Sequence, residues 1–396
     1  MKNDLMKNEG KIINKKKIMF VFGTRPEAIK MAPVIKELEK QAAGFTSIVV
    51  VTGQHRQMLD QVLRIFGIKP DHDLEIMEEN QSLTDIVTKT LAGMEKIILG
   101  EKPDMLLVQG DTSTAFAAGL AAYYQRIPLG HVEAGLRTGD KWQPYPEEIN
   151  RKLLSDLSDL HFPPTPSALK VLTEEEGISR EKIFLTGNTV IDALLSVAGR
   201  DYDLAKAGLK LRPGKKLVLV TTHRRENFGG PIKNICGAIK QVASRSDTYF
   251  VIPVHKNPKV HDIIQESLSG LENVELIEPQ DYEAFVHLMK AAYIILTDSG
   301  GVQEEGPSLG KPVLVMRAKT ERPDAVTAGT VKLVGTEEAA IVNDLTVLLT
   351  SEKEYNKMSR RANPYGDGAA SKRIMAALKY YFKLTDQKPE EFTCSV

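Results

Sequence analysis

Acidic and cationic residues in this chain gather directly behind short apolar runs. Gly23-Thr24-Arg25, Gly53-Gln54-His55-Arg56, Gly110-Asp111-Thr112 and Glu133-Ala134-Gly135 follow four such runs in the first half. His223-Arg224-Arg225-Glu226, His255-Lys256, Glu278-Pro279-Gln280 and Asp298-Ser299-Gly300-Gly301 follow four in the second. Carboxylates placed with histidine and arginine suit proton transfer beside an anion. The candidate proton-transfer groups are Asp111, Glu133 and Glu147, with Arg25, His223 and Arg322 as cations. Arg25 at a helix start favours a phosphate partner, because a cation is disfavoured there without an anion. Residues 298–305, DSGGVQEE, read as a strand end entering a helix amino terminus. Two glycines let backbone N–H groups approach a diphosphate, and Glu304 or Glu305 suits a ribose diol. Plain capping by Ser299, with the glutamates complementing the helix dipole, fits those residues equally well, and dipole complementation also fits Glu147.

Other chemistries lose support. No GxGxxG follows the first apolar run, and no GxxxxGK[ST] or HExxH occurs. Dinucleotide, P-loop and zinc-protease sites are therefore disfavoured, and neither a metal nor a cofactor is expected.

The elements that must hold these residues are read from hydrophobic runs. Strands are expected at 18–23, 47–53, 105–110, 129–133 and 183–187, then at 216–222, 249–255, 274–279, 293–298 and 312–317. Helix-length amphipathic stretches at 27–40, 55–66, 83–99 and 232–243 lie between them. Strands that are apolar throughout, alternating with helices, indicate parallel α/β sheets covered on both faces. Ten strands exceed one doubly wound sheet. The irregular stretch 199–216, with Arg212-Pro213-Gly214, reads as a connection between two Rossmann-like halves with a cleft between them. Ligands of such sheets bind beyond the strand carboxyl ends, where the charged residues fall.

Composition sets outer limits. The chain has 396 residues, with 52 Lys+Arg against 52 Asp+Glu, so bulk attraction to nucleic acid or an acidic membrane is not expected. Two cysteines, Cys236 and Cys394, make no disulfide framework. Residues 1–17, with six lysines, are read as a solvated, disordered basic tail, and the short run behind them is no signal-peptide core. A cytoplasmic protein is the expectation.

Longer motifs add a resemblance. GTRPEAIKMAP (23–33), GQHRQMLDQV (53–62), GDT (110–112), GHVEAGLRTGD (130–140), PEEINR (146–151), TGNTVIDAL (186–194), HRREN (223–227), DSGGVQEE (298–305) and NPYGDG (363–368) occur in order. Over residues 18–383 the chain resembles the non-hydrolysing UDP-N-acetylglucosamine 2-epimerases. The resemblance implies a GT-B fold, with two Rossmann-like parallel-sheet domains facing an interdomain cleft. They are placed at 18–188 and 189–368, with 369–396 as a helix returning to the first domain plus a tail. It implies interconversion of UDP-N-acetylglucosamine and UDP-N-acetylmannosamine through 2-acetamidoglucal and UDP, supplying N-acetylmannosamine for cell-surface polysaccharide.

Carried over to this sequence, Asp111, Glu133 and Glu147 are acid/base candidates, and His223 partners the diphosphate or leaving oxygen. Arg25, Ser299, Gly300 and Gly301 would hold phosphates, and Glu305 the ribose. Gln280 and Phe285 would frame uracil, while Lys30 and Arg322 support the charged site. UDP-N-acetylglucosamine as an allosteric activator would meet Gln54, Gln57, Arg224 and His255, and a homodimer is implied. Gln109 stands where many members have His, and Ala318-Lys319 where Asp-Thr is common. Gln109 is expected to alter contacts around Asp111, and Lys319 to add charge near Arg322. A hydrolysing epimerase, a GT-B glycosyltransferase and a UDP-sugar sensor remain the rivals.

Overall fold

The structure is a computed structural model and describes residues 15–53, 56–78 and 80–394. Its first sheet holds β1 (Lys16–Phe22), β2 (Phe45–Val51), β3 (His72–Asp73), β4 (Met105–Gln109), β5 (Leu129–Val132) and β6 (Leu160–Phe162). Its second holds β7 (Lys216–Thr221), β8 (Thr248–Pro253), β9 (Val274–Ile277), β10 (Ile294–Thr297), β11 (Val313–Val315) and β12 (Val331–Leu333). Both sheets are parallel throughout, in the orders β3-β2-β1-β4-β5-β6 and β12-β11-β10-β7-β8-β9. Each is the doubly wound order, so each has a switch point beside its first strand, where β1 meets β4 and β7 meets β10.

Around the first sheet lie α1 (Arg25–Glu39), α2 (Arg56–Phe66), α3 (Leu83–Glu101), α4 (Ser113–Tyr124), α5 (Glu147–Leu157), α6 (Pro166–Lys170) and α7 (Thr189–Ala198). Around the second lie α8 (Gly230–Val242), α9 (Pro258–Leu268), α10 (Tyr282–Ala291), α11 (Gly300–Glu305), α12 (Pro323–Ala328), α13 (Glu338–Thr350) and α14 (Glu352–Ser359). The last helix, α15 (Ala370–Tyr381), packs on α1 and α7, and α7 also touches α10 and α11. The two halves thereby share one apolar core, in which Ile18, Phe20 and Ile35 join Val286, Leu288 and Ile295.

Two expectations change. The basic tail does not extend to residue 17, because Lys16 and Lys17 belong to β1. Asp104 holds both, accepting from Lys16 Nζ at 2.8 Å and from the Lys17 backbone N–H at 2.9 Å. Ile183–Gly187 is not a strand. Leu160–Phe162 occupies the place beside β5, leaving Ile183 a single bridge to His161. Among the described residues no helix is long and apolar enough to cross a membrane.

Candidate active site

The loops behind β1 and β4 meet at the first switch point through one buried carboxylate. Glu27 accepts from the Gly23 and Thr24 backbone N–H groups (3.1 and 2.8 Å), from Thr24 Oγ1 (2.7 Å) and from Thr112 Oγ1 (2.6 Å). Burial raises its pKa, although these donors pull it down. The turn needs glycine at residue 23, since a Cβ there would collide with the Thr52 and Thr114 hydroxyls. Arg25 opens α1 next to this turn.

Asp298 organises the second switch point. Fully buried, it accepts from the His223 and Arg224 backbone N–H groups (2.9 Å each), Thr222 Oγ1 (3.0 Å) and Asn227 Nδ2 (3.0 Å). Its Oδ1 lies 3.1 Å from His223 Nδ1. Burial opposes its charge, but the His223 ring and the backbone donors outweigh burial and lower its pKa. Asp298 thus fixes the His223 ring through one nitrogen and leaves the other for a ligand. Ser299 precedes α11 and makes no side-chain cap bond, so capping does not consume its hydroxyl.

A cavity of about 560 Å³ lies between the switch points. Its wall includes Arg25, Lys30, His223, His255, Gln280, Phe285, Ser299, Gly301, Glu305 and Arg322. Ten residues singled out from sequence therefore converge on one space. A larger groove of about 750 Å³ lies between the end of α1, the start of β2 and α15, and holds none of them. Gly300 sits just behind the wall, where a Cβ would lie 3.4 Å from both the Arg224 and Arg322 guanidinium groups.

Glu133 reaches the cavity through Lys30. Lys30 Nζ lies 2.5 Å from Glu133 Oε1, with the two side chains 16% and 7% exposed. Burial works against the Lys30 charge, yet Glu133 and Glu304 outweigh it and raise its pKa. Burial likewise opposes ionisation of Glu133, but Lys30, Arg322 and Asn188 outweigh it and lower its pKa. Glu133 also has a left-handed backbone, φ 64°, which costs a non-glycine residue about 1 kcal/mol. Glu304 accepts from Arg322 Nε at 2.7 Å.

The other predicted residues are dispersed. Asp111 pairs with Arg151, whose Nε and Nη2 lie 2.7 and 2.6 Å from Oδ2. Glu147 is half-buried as the first residue of α5, and neither it nor Asp111 lines the cavity. Its neighbour Glu148 is the buried one, accepting from the Thr138 and Gly139 backbones. Arg224 lines an adjacent cavity of about 190 Å³ with Arg137, Arg151, Glu321 and Arg322, whereas His255 lines the main one. Gln54 lies outside the described residues, as does the side chain of Gln57 in α2. Gln109 donates to Glu133 at 2.5 Å, so its contact is with that carboxylate rather than with the Asp111 side chain. Lys319 is exposed.

Sequence reasoning passed over Gln109, Asn188, Arg151 and Asp298 as site residues, although three of them lie inside the quoted motifs. Among the described residues no cluster of three or more His, Cys, Asp or Glu could hold a metal ion.

Two doubly wound sheets, each offering its switch point to a shared cleft lined by cations and carboxylates, define a GT-B protein. The family model described as UDP-N-acetylglucosamine 2-epimerase matches residues 36–379. The UDP-N-acetylglucosamine 2-epimerase of Salmonella typhimurium is 54% identical over 92% of this chain and 99% of its own. The crystal structure of UDP-GlcNAc 2-epimerase from Neisseria meningitidis bound to UDP-GlcNAc is 51% identical, with a TM-score of 0.80 over 91% of this chain and 99% of that one. The structure of UDP-GlcNAc 2-epimerase from Methanocaldococcus jannaschii has the same TM-score, 0.80, at 33% identity, covering 92% and 99%. The chain belongs to the UDP-N-acetylglucosamine 2-epimerase family.

Proposed function

We propose that this protein interconverts UDP-N-acetylglucosamine and UDP-N-acetylmannosamine without net hydrolysis. The observation that carries the reading is the cleft cavity, whose cations stand beside the buried Lys30–Glu133 pair. The sugar carbon-2 proton has no adjoining carbonyl to acidify it, so its removal must be coupled to loss of a leaving group. A base takes the proton, the carbon-2 electron pair forms a double bond to carbon 1, and the carbon 1–oxygen bond breaks toward UDP. The products of that step are 2-acetamidoglucal and UDP. Re-addition of UDP, with a proton delivered to the opposite face of carbon 2, completes the inversion and leaves no net change in atoms or charge.

Asp111, Glu133 and Glu147 supply the acid/base groups in this reading. His223, held by Asp298, meets the leaving oxygen, with Arg25, Arg322, Ser299, Gly300 and Gly301 around the phosphates. Glu305 takes the ribose, and Gln280 and Phe285 flank the base. A second UDP-N-acetylglucosamine acts as activator beside the substrate, touching Arg224 and His255. Supporting this, Arg322 belongs to the walls of both the main cavity and the smaller one next to it. The protein works as a homodimer in the cytoplasm. Tyr123 and Tyr124 at the end of α4, both 61% exposed, offer apolar surface for pairing.

Proton NMR of UDP-N-acetylglucosamine in deuterium oxide tests the proposal. The expected result is deuterium at carbon 2 with UDP-N-acetylmannosamine accumulating. Stoichiometric UDP and free N-acetylmannosamine would instead mark a hydrolysing enzyme. Absence of exchange without an added acceptor would favour a glycosyltransferase.

A further inference from the structure

Glu133 is held by more than its lysine. Its Oε2 accepts from Gln109 Nε2 at 2.5 Å, and its Oε1 from Asn188 Nδ2 at 2.9 Å. Gln109 ends β4 and Asn188 caps α7, so two separate elements aim neutral amides at one carboxylate. They are 3% and 2% exposed, and neither lines the cavity. A buried amide without a partner is costly, and these two answer that cost on the same group.

The orientation of Asn188 is fixed independently. Its Oδ1 accepts from the Val190 backbone N–H at 3.1 Å as the cap of α7, which leaves Nδ2 for the carboxylates. The same Nδ2 donates to Glu304 Oε2 at 3.1 Å. One nitrogen therefore joins a carboxylate behind the first sheet to a carboxylate behind the second.

We propose that Gln109 and Asn188 are positioning residues that hold the Glu133 carboxylate in one orientation and in its ionised form. The proposal rests on the epimerase reading, in which Glu133 is an acid/base group. An amide N–H can only donate, and an ionised carboxylate can only accept, so each bond favours the charged form. Lys30 from α1 and Arg322 before α12 act in the same sense on Glu133, while Glu304 from α11 shares both Asn188 and Arg322 with it. His131, two residues earlier, also faces this region. Its Nε2 donates to the Gly110 carbonyl at 2.7 Å, and burial pushes its pKa down to about 4, so it is neutral there. The amides thus add restraint to a site where the charges already compete.

Gln109→Leu and Asn188→Ser test this, since serine keeps an oxygen able to cap α7. The readout is a ¹³C NMR titration of glutamate-labelled, unliganded protein, with Glu133→Gln identifying the resonance. Each variant is expected to raise the Glu133 midpoint by about one pH unit. The acidic limb of the kcat profile should rise with it, and kcat at neutral pH should fall about tenfold while KM stays within threefold. A Glu133 midpoint unmoved in both variants overturns the proposal, as does lower kcat with an unmoved acidic limb. The variants lie on different elements, so either one alone decides if the other fails to fold. The titration needs no turnover, so an inactive wild-type protein would sink the functional reading and leave this result readable.

Discussion

Glu305 stands in the cavity wall beside a second carboxylate, Glu304, and near the buried Tyr282 hydroxyl. Burial first, and the Glu304 charge second, push its carboxyl up to about 8 against the pull of Lys30, Tyr282 and Arg25. The folded protein therefore keeps this proton at neutral pH, while the unfolded chain releases it near the ordinary value of 4.5. The folded pKa is the raised one, so the stabilising contribution is complete below the unfolded value. It is lost as pH climbs through about 8. In that window the group lowers stability by up to about 1.4 kcal/mol per pH unit. Glu305→Gln removes the slope. Urea unfolding at pH 6 and pH 8 should show wild-type protein losing roughly 2 kcal/mol more than the variant. Equal losses would mean that Glu305 is already ionised in the fold at pH 6.

At the scale of elements, α15 has no N-cap side chain of its own and takes one from α7. Asp192 accepts from the Ala370 and Ser371 backbone N–H groups (3.1 and 2.8 Å) and from Ser371 Oγ (2.6 Å). Asp192→Ala should cost about 2 kcal/mol, with faster amide exchange in the first turn of α15. Asp192→Asn, which keeps an acceptor, should recover most of that loss. Unchanged exchange in the alanine variant would show that the cap does not secure the helix. Both Asn188 and Asp192 fall within TGNTVIDAL, yet nothing in that string says which carboxylate or helix each will meet. The elements themselves were more readable. Long apolar runs such as Ile18–Phe22 and Leu217–Val220 announce central strands because both of their faces are buried. The two-residue β3 and three-residue β6 and β12 are too short to show a period, and beside β6 the apolar run Ile183–Gly187 mimics a strand. Arg25, His223 and Arg322, charged and placed behind strands or helix starts, could be found from type and position alone. The partner of Gln109 could not, because only the pairing of β4 with β5 brings its neutral amide to Glu133 rather than to Asp111.

For the whole molecule, 52 cationic residues balance 52 acidic ones, yet the cleft concentrates Arg25, Lys30 and Arg322 around one cavity. With a net charge of zero the far field of the chain is weak, so any long-range steering falls to the local arrangement of charge. Attraction for a diphosphate must then act mainly at contact, where cations in a protein wall are screened less than exposed ones. Even there it is tempered, because Lys30 is bound to Glu133 and Arg322 to Glu304. UDP binding should accordingly weaken by less than about tenfold between 50 and 500 mM salt, a milder loss than polyanion binders show. Stopped-flow measurement should place that loss mainly in the dissociation rate, with the association rate changing less than about threefold. A steep fall of the association rate with salt would show that a field extends well beyond the cleft, and that neutrality of the chain conceals a strong separation of charge over its surface.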